Sequence, residues 1–481
     1  MKLTNKTNIF LLIISAIYLV LGILSLNNCY FWDNIQQTSK EAHWFYMNGF
    51  KSLIMPTMDS GKEIVATGYH PPLMGIMTAI LWQVFGYKIW VSHVFMFFWA
   101  IILFYNLLKI IKLFVSEKYV GWAMLIILLE PTILTQFSIA SPDFILFTAF
   151  VLSLRAIFER KAVLLAVGIF FLFGINMRGV FAGLFVMLVH IYQVFDSEKK
   201  INFRSFYNTI LPYLPTFIIL ALYFIYYFSV NGWFFAKSTS TDHYSLPNSP
   251  FRILKHLAEF GLRNIENGRL LIWITGIYII SKTIISKQIF SKNEKFIFQL
   301  FSLLFGLYLL FVFISNMPFS ARYFTPLFFL LTLISLIGIT KFFDERKKIL
   351  FFVLILCFEL TGNLWIYPEK IAKPWDSTLA HLSFYELRKQ CFNYIDNESI
   401  DYKDVSAGFC LDGNRRFAEL IKEDKRVGVK TNNQYFIYSN ISNVEDSLAV
   451  DLQKPQHWTE IKKFEKGFVF ITIYKRVSEF K

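Results

Sequence analysis

The sequence predicts a mostly α-helical, polytopic membrane protein with about eleven transmembrane helices and a small α+β domain at its C-terminal end. Three observations carry that reading. Of 481 residues, 55% are hydrophobic and only 17% charged, too apolar for a chain that must cover its surface in water. Apolar stretches long enough to span a bilayer, roughly 17 to 25 residues, recur from the start of the chain to Ile366 and then stop. The Lys and Arg residues stand in short clusters between those stretches. The formal charge of +14 therefore reads as a set of topology signals and not as a nucleic-acid-binding face.

The first stretch, Ile9 to Leu26, ends at Asn27 and Asn28 without a small-residue cleavage site, which predicts a retained helix in place of a signal peptide. Further spans are expected at Ile89 to Leu108, Tyr119 to Ile139, Phe144 to Ile157, Ala162 to Ile175, Val180 to Phe195 and Ile210 to Val230. Leu270 to Ile280 with its flanks, Phe296 to Ile314, Tyr323 to Ile339 and Ile349 to Ile366 complete the set. Cytoplasmic loops hold the excess of Lys and Arg near helix ends. The clusters are Lys2 and Lys6; Lys109, Lys112 and Lys118; Arg155, Arg160 and Lys161; Lys199, Lys200 and Arg204; Lys282, Lys287, Lys292 and Lys295; and Lys341, Arg346, Lys347 and Lys348. They place the N-terminus in the cytoplasm and the C-terminal domain outside. The apolar segment Pro71 to Phe85 is short, opens on two prolines and contains Gln83. Counting it as a span would invert every later helix, so an interfacial or re-entrant helix is expected. Abundant Lys, Asn, Ile and Phe fit an AT-rich bacterial genome and hence a bacterial inner membrane.

The chain divides into a transmembrane unit, residues 1–366, and a soluble extracytoplasmic domain, residues 367–481. External loops are expected at 30–87 and 231–269. In the soluble domain a helix-like stretch, Phe384 to Ile395, precedes alternating runs at Gln434 to Tyr438 and Phe468 to Tyr474. Cys29, Cys357, Cys391 and Cys410 form no CxxC pair, and outside the cytoplasm Cys391 and Cys410 are candidates for a disulfide. Tyr207, Pro212 and Pro215 read as a helix kink.

Several residues can carry chemistry. Asp33, in Phe31-Trp32-Asp33-Asn34, stands where a carboxylate among large aromatics meets the membrane surface; it is either a general base or a solvated helix-ending residue. Asp143 follows Ser141 and Pro142, which is also an ordinary helix start with an acid in its first turn. Arg178, in Asn176-Met177-Arg178-Gly179, and Arg322, in Ser320-Ala321-Arg322-Tyr323, are cations in outer turns that otherwise avoid them. Each either grips a phosphate or snorkels to lipid headgroups. Tyr69 and His70 precede Pro71 and Pro72; His70 could meet phosphate or metal, or simply pack. No GxxxxGK, HExxH or GxSxG motif is present, so nucleotide hydrolysis is not expected.

In their order along the chain these features resemble the polyprenyl-phosphate-sugar-dependent membrane glycosyltransferases of the GT-C fold, the group of protein mannosyltransferases and lipid A aminoarabinose transferases. The resemblance rests on five features between Ile9 and Ile366: Asp33 in the first external loop, Tyr69-His70-Pro71-Pro72, Ser141-Pro142-Asp143, Arg178-Gly179, and Arg322-Tyr323 with Pro326. Four positions depart from it. Asn34 replaces the second acid of the first loop, Tyr69 and His70 replace an acidic and a basic residue, and Arg178 replaces a lysine.

The resemblance implies inverting transfer of a hexosyl or pentosyl group, outside the cytoplasm, from a polyprenyl-phosphate-linked sugar to a glycolipid, polysaccharide or protein acceptor. It implies Asp33 and Asp143 as catalytic residues, Arg178, Arg322 and His70 as binders of the donor phosphate, and Tyr69 and Tyr323 as cavity walls. The loop 231–269, with His243, Arg252, Lys255 and Arg263, would close over donor or acceptor. Some members use a divalent cation, but Asp33, Asp143 and one His make no recognisable metal set, so no cofactor is assigned. The competing reading is a transporter or flippase of lipid-linked substrates, which would place ionisable residues or broken helices near the bilayer midplane. Here the candidates gather at the outer rim, with Glu130-Pro131 and Glu359 as exceptions.

Overall fold

A computed structural model describes residues 5–54, 71–198, 203–232, 249–286, 290–314, 319–365, 375–429, 433–442 and 444–477. Its first part is a helical bundle: α1 (Asn5–Ser25), α2 (Glu41–Asn48), α3 (Leu73–Phe85), α4 (Ile89–Phe114), α5 (Glu117–Leu128), α6 (Pro131–Ser138), α7 (Pro142–Glu159), α8 (Ala162–Ile175) and α9 (Met177–Glu198). It continues with α10 (Phe203–Ile210), α11 (Leu214–Asn231), α12 (Pro250–Ile265), α13 (Leu270–Ser286), α14 (Lys292–Ile314), α15 (Thr325–Phe342) and α16 (Glu345–Thr361).

Among the described residues, five helices are long and apolar enough to cross a membrane, and two bent pairs raise the number to seven if each pair is one span. The chain is a multi-pass membrane protein. Proline sets many of the boundaries, because it lacks an N–H and fits only the first helical turn. The stretch Tyr119 to Ile139, expected as one span, is broken at Glu130 into α5 and α6 with a bend of 61°. Pro131 cannot continue α5, and the Glu130 carboxylate caps α6 by accepting from Ile133 N at 2.9 Å. The kink expected around Pro212 and Pro215 is the break between α10 and α11. In the expected external loop 231–269, Ser249 caps α12, which meets α13 at 97°.

The centre of the bundle is α7 and α15. Every residue from Pro142 to Ile157 is buried, and so is 83% of the apolar window between Ala321 and Phe342. A side chain at Gly338 would meet Ile279 at 2.2 Å, so this small residue lets α13 and α15 approach closely. Both central helices begin at the same end of the bundle, the end at which α1 finishes and α9 starts.

That end is covered by the C-terminal part. Helix α17 (Ser383–Asn397) packs on a four-stranded sheet of β1 (Val405–Ala407), β4 (Tyr435–Ser439), β6 (Val469–Arg476) and β5 (Trp458–Lys466) in that spatial order. The β1–β4 pair is parallel and the others are antiparallel. The short antiparallel pair β2 (Gly413–Asn414) and β3 (Arg426–Val427) sits beside β1, to which Gly428, directly after β3, is bridged through Ser406. Phe384, Leu387, Phe392, Val405, Ile437 and Ile471 form the core, which Phe31 and Ile139 of the bundle enter. Cys391 and Cys410 are buried in it and unbonded; burial pushes the Cys391 thiol up to about 12.

Candidate functional site

Five charged residues scattered through the sequence meet at the covered end of the bundle. Arg322 lies in a 3-10 turn, Ala321–Phe324, directly before α15, with its side chain 3% exposed. It donates to the Asp33 carboxylate and lies 3.3 Å from Asp143 and 3.2 Å from Asp376. Arg178, at the start of α9, lies 3.3 Å from the other oxygen of Asp143. Tyr323 stands between the cations, its ring 4.6 Å from the Arg178 guanidinium and 5.4 Å from that of Arg322.

Local structure explains each placement. Asp33 is held from both sides: Phe31 is buried against His381 and Phe384, and the Asn34 amide donates to Ile139 O at 2.8 Å. Trp32 adopts a φ of 55° in this turn. Asp33 keeps 27% of its side chain exposed, whereas Asp143 keeps 8% and Asp376 7%, so Asp33 is the carboxylate that reaches solvent. Asp143 opens α7, but the cap comes from Ser141, whose hydroxyl accepts from Asp143 N at 3.1 Å. Both Asp143 oxygens are thereby left to bridge the arginines.

Arg178 owes its position to its neighbours. Asn176 caps the turn by accepting from Gly179 N at 3.1 Å. A Cβ at Gly179 would sit 1.8 Å from Leu172 O, so only glycine permits so tight a junction of α8 and α9.

Arg322 is braced by a second set of ions. Arg269 and Glu130, both fully buried, pair at 2.8 Å; Arg269 also donates to Thr132 at 2.9 Å and to Ala321 O at 3.0 Å. Arg263 pairs with Glu266 at 3.0 Å and donates to Phe319 O at 3.0 Å. Two buried guanidiniums thus tie down the carbonyls on either side of Ser320, fixing the turn that presents Arg322. Arg263, expected in a loop closing over the substrates, is a buried structural residue.

Asp376 was not anticipated from the sequence. Ser320 and Ser377 donate to its carboxylate, each at 3.3 Å, and Gln136 donates to its carbonyl. One signal pointed to it: Trp375-Asp376 repeats the Trp32-Asp33 dipeptide. Tyr69 and His70 lie outside the described residues, as does His243.

Beside the charged cluster, an apolar groove of about 320 Å³ is lined by Leu53, Pro71, Pro72, Leu73, Phe170 and Tyr223. It runs between α3, α8 and α11.

No protein-family model matches this sequence, and no curated protein matches it. The fold does match solved structures. The crystal structure of ArnT from Cupriavidus metallidurans bound to undecaprenyl phosphate superposes with a TM-score of 0.54 at 8% identity, covering 97% of this chain and 98% of that one. The apo structure of the same protein gives 0.51 at 9% identity, covering 96% and 97%. The chain therefore has an ArnT-like, GT-C-like fold over its full length, as the order of its short motifs led one to expect.

Proposed function

We propose that this chain is a membrane glycosyltransferase that moves a sugar from a polyprenyl-phosphate donor to an acceptor at the outer face of a bacterial inner membrane. The observation that carries the proposal is the meeting of solvent-reaching Asp33 with Arg322, Asp143 and Arg178 at one end of an ArnT-like bundle. The undecaprenyl phosphate bound to ArnT supports a lipid-phosphate donor, and the apolar groove beside the cluster suits its tail.

In this reading the acceptor hydroxyl gives its proton to Asp33 as its oxygen attacks the sugar's anomeric carbon. The bond from that carbon to the phosphate oxygen breaks on the opposite face, inverting the centre, and polyprenyl phosphate leaves with the electron pair. Arg322 and Arg178 stabilise the charge that develops on the phosphate. Asp143 holds both guanidiniums, and Tyr323 walls the space between them.

The orientation belongs to the same proposal. Eleven crossings, counting α8, α11, α13, α16 and α5 with α6, leave the N-terminus in the cytoplasm. Residues 367–481 then form an extracytoplasmic domain over the site. Support comes from the described members of the basic clusters, among them Lys6, Lys112, Arg155 and Lys348, which fall at the end of the bundle away from Asp33. The charged groups at the two helix breaks are paired and brace Arg322, which argues against a transport role for them.

The test is sugar release from polyprenyl-phosphate donors by purified protein in lipid, wild type against Asp33→Asn, over several donor sugars. Loss of donor consumption in a folded variant supports the reading. Full turnover by the variant removes Asp33 as the base, and lipid binding without turnover by the wild type on any donor favours transport.

A further inference from the structure

A second polar cavity lies at the opposite end of the bundle. Its volume is about 300 Å³, and its lining includes Arg160, Lys161, His190, Gln193, Asn208 and Thr209. Its position follows from helix length alone. Asp143 and Arg160 stand at the two ends of α7, which at 1.5 Å per residue puts the cavity about 25 Å from the charged cluster. Along α9, Arg178 and Gln193 are about 22 Å apart by the same rule. That separation approaches the hydrocarbon thickness of a bilayer, roughly 30 Å, so the cavity lies near the other membrane face whichever way the chain is oriented.

The cavity suits an anion. Lys161 precedes α8, whose first turn has neither a side-chain cap nor an acidic residue, so its free N–H groups face this region without a side-chain acceptor. Lys161 pairs with Glu159 at 2.7 Å, and Arg155 holds the same carboxylate at 2.9 Å. Arg160 has no ion-pair partner among the described residues and takes the left-handed C-cap position of α7. His190, Gln193 and Asn208 add neutral hydrogen-bonding groups.

The cavity also continues into an apolar groove of about 310 Å³, with which it shares Val194 and Thr209. At the junction His190 and Tyr213 are hydrogen-bonded at 3.1 Å, His190 lining the polar side and Tyr213 the apolar side. The groove opens outward, since Phe195, Phe206 and Phe217 are 53%, 55% and 39% exposed on faces that meet lipid. A free phosphate would use the cavity and leave the groove unexplained. A phosphate with an acyl chain uses both.

We propose that this cavity and groove bind an anionic phospholipid, headgroup against Arg160, Lys161 and the start of α8, and one acyl chain between α9, α10 and α11. The site is separate from the charged cluster and does not depend on the reaction assigned to it.

The experiment is photolabelling of the full-length protein in detergent with phosphatidylglycerol bearing a diazirine in one acyl chain, with mapping of the labelled peptides. Phosphatidylcholine carrying the same diazirine is the control. Labelling of Met187–Phe217 by phosphatidylglycerol, several-fold above phosphatidylcholine, is expected. Arg160→Gln with Lys161→Gln should lower it about 30-fold, since each cation near a lipid phosphate contributes about 1 kcal/mol. Val194→Trp, which fills the shared wall, should abolish it while thermal stability is retained. Equal labelling by the two lipids, or labelling unchanged in both variants, overturns the proposal. Displacement of the lipid by equimolar inorganic phosphate overturns it in favour of a free-anion site.

Discussion

Replacing Asp376 by asparagine is expected to tighten the binding of polyprenyl phosphate. Three carboxylates, Asp33, Asp143 and Asp376, surround two guanidiniums, Arg178 and Arg322, so the cluster carries one net negative charge before any donor arrives. A phosphate approaching Arg322 meets those carboxylates at close range. At an effective dielectric of about 20 and a separation of roughly 6 Å, one carboxylate repels a singly charged phosphate by about 3 kcal/mol. Removing that charge is worth up to about 100-fold in affinity. Part of this is lost as the cluster relaxes, so a gain of tenfold or more is expected.

The fold should tolerate the change. The substituted amide keeps a carbonyl oxygen to accept from Ser320 and Ser377, and Arg322 retains Asp33 and Asp143. The cost to stability is about 1 kcal/mol. Titration of polyprenyl phosphate into nanodisc-embedded protein, wild type against Asp376→Asn, measures the affinity, and a thermal melt on the same material checks the fold. Unchanged or weaker binding by a folded variant would refute the electrostatic reasoning and make Asp376 a positioning group for Arg322 and nothing more.

Arg322→Met takes the cation from Asp33 and from buried Asp376 and leaves Asp143 with Arg178 alone, and should cost about 3 kcal/mol of stability, read as a lowered melting midpoint in detergent; combining it with Asp376→Asn should recover part of the loss. Gly179→Ala places a methyl group where Leu172 O stands 1.8 Å away and should destabilise by about 1 to 3 kcal/mol. Turnover should fall with it, because the displaced turn carries Arg178. A pH effect is expected at His381, enclosed by the Phe31 and Tyr385 rings and bonded to Thr378 O at 2.6 Å. Burial lowers its pKa from 6.5 to about 4. The folded protein then binds fewer protons than the unfolded chain, so the contribution is present above pH 6.5 and is lost as pH falls toward 4. Its full size is about 3 kcal/mol. Thermal midpoints from pH 7.5 to 4.5 should fall more steeply in wild type than in His381→Phe.

Arg178 and Arg322 were legible in the sequence because charge near a membrane is costly and the short turns that hold them, each beside an apolar span, carry few other cations. Their partners were harder to read. A hydropathy window averages over a whole span, so Tyr119 to Ile139 passes as one helix although the single pair Glu130-Pro131 bends it by 61°. The amphipathic helix α12 escaped notice because it lies in a stretch too polar to count as a span. Strand β5 was missed because an irregularity between Glu460 and Lys462 breaks the period-two signal, so that its apolar residues Trp458, Ile461 and Phe464 stand three apart among charged ones.

Asp376 marks the firmest limit. Its role depends on the chain returning over the bundle after α16, and no local pattern around residue 376 encodes that return. Two anchors produce it: Phe31, which enters the C-terminal core beside His381, and Gln136, which donates to the Asp376 carbonyl. Both anchors belong to the segments that position Asp33 and Asp143. Docking of the C-terminal part and assembly of the charged cluster are therefore one event, and a substitution that loosens either should loosen both.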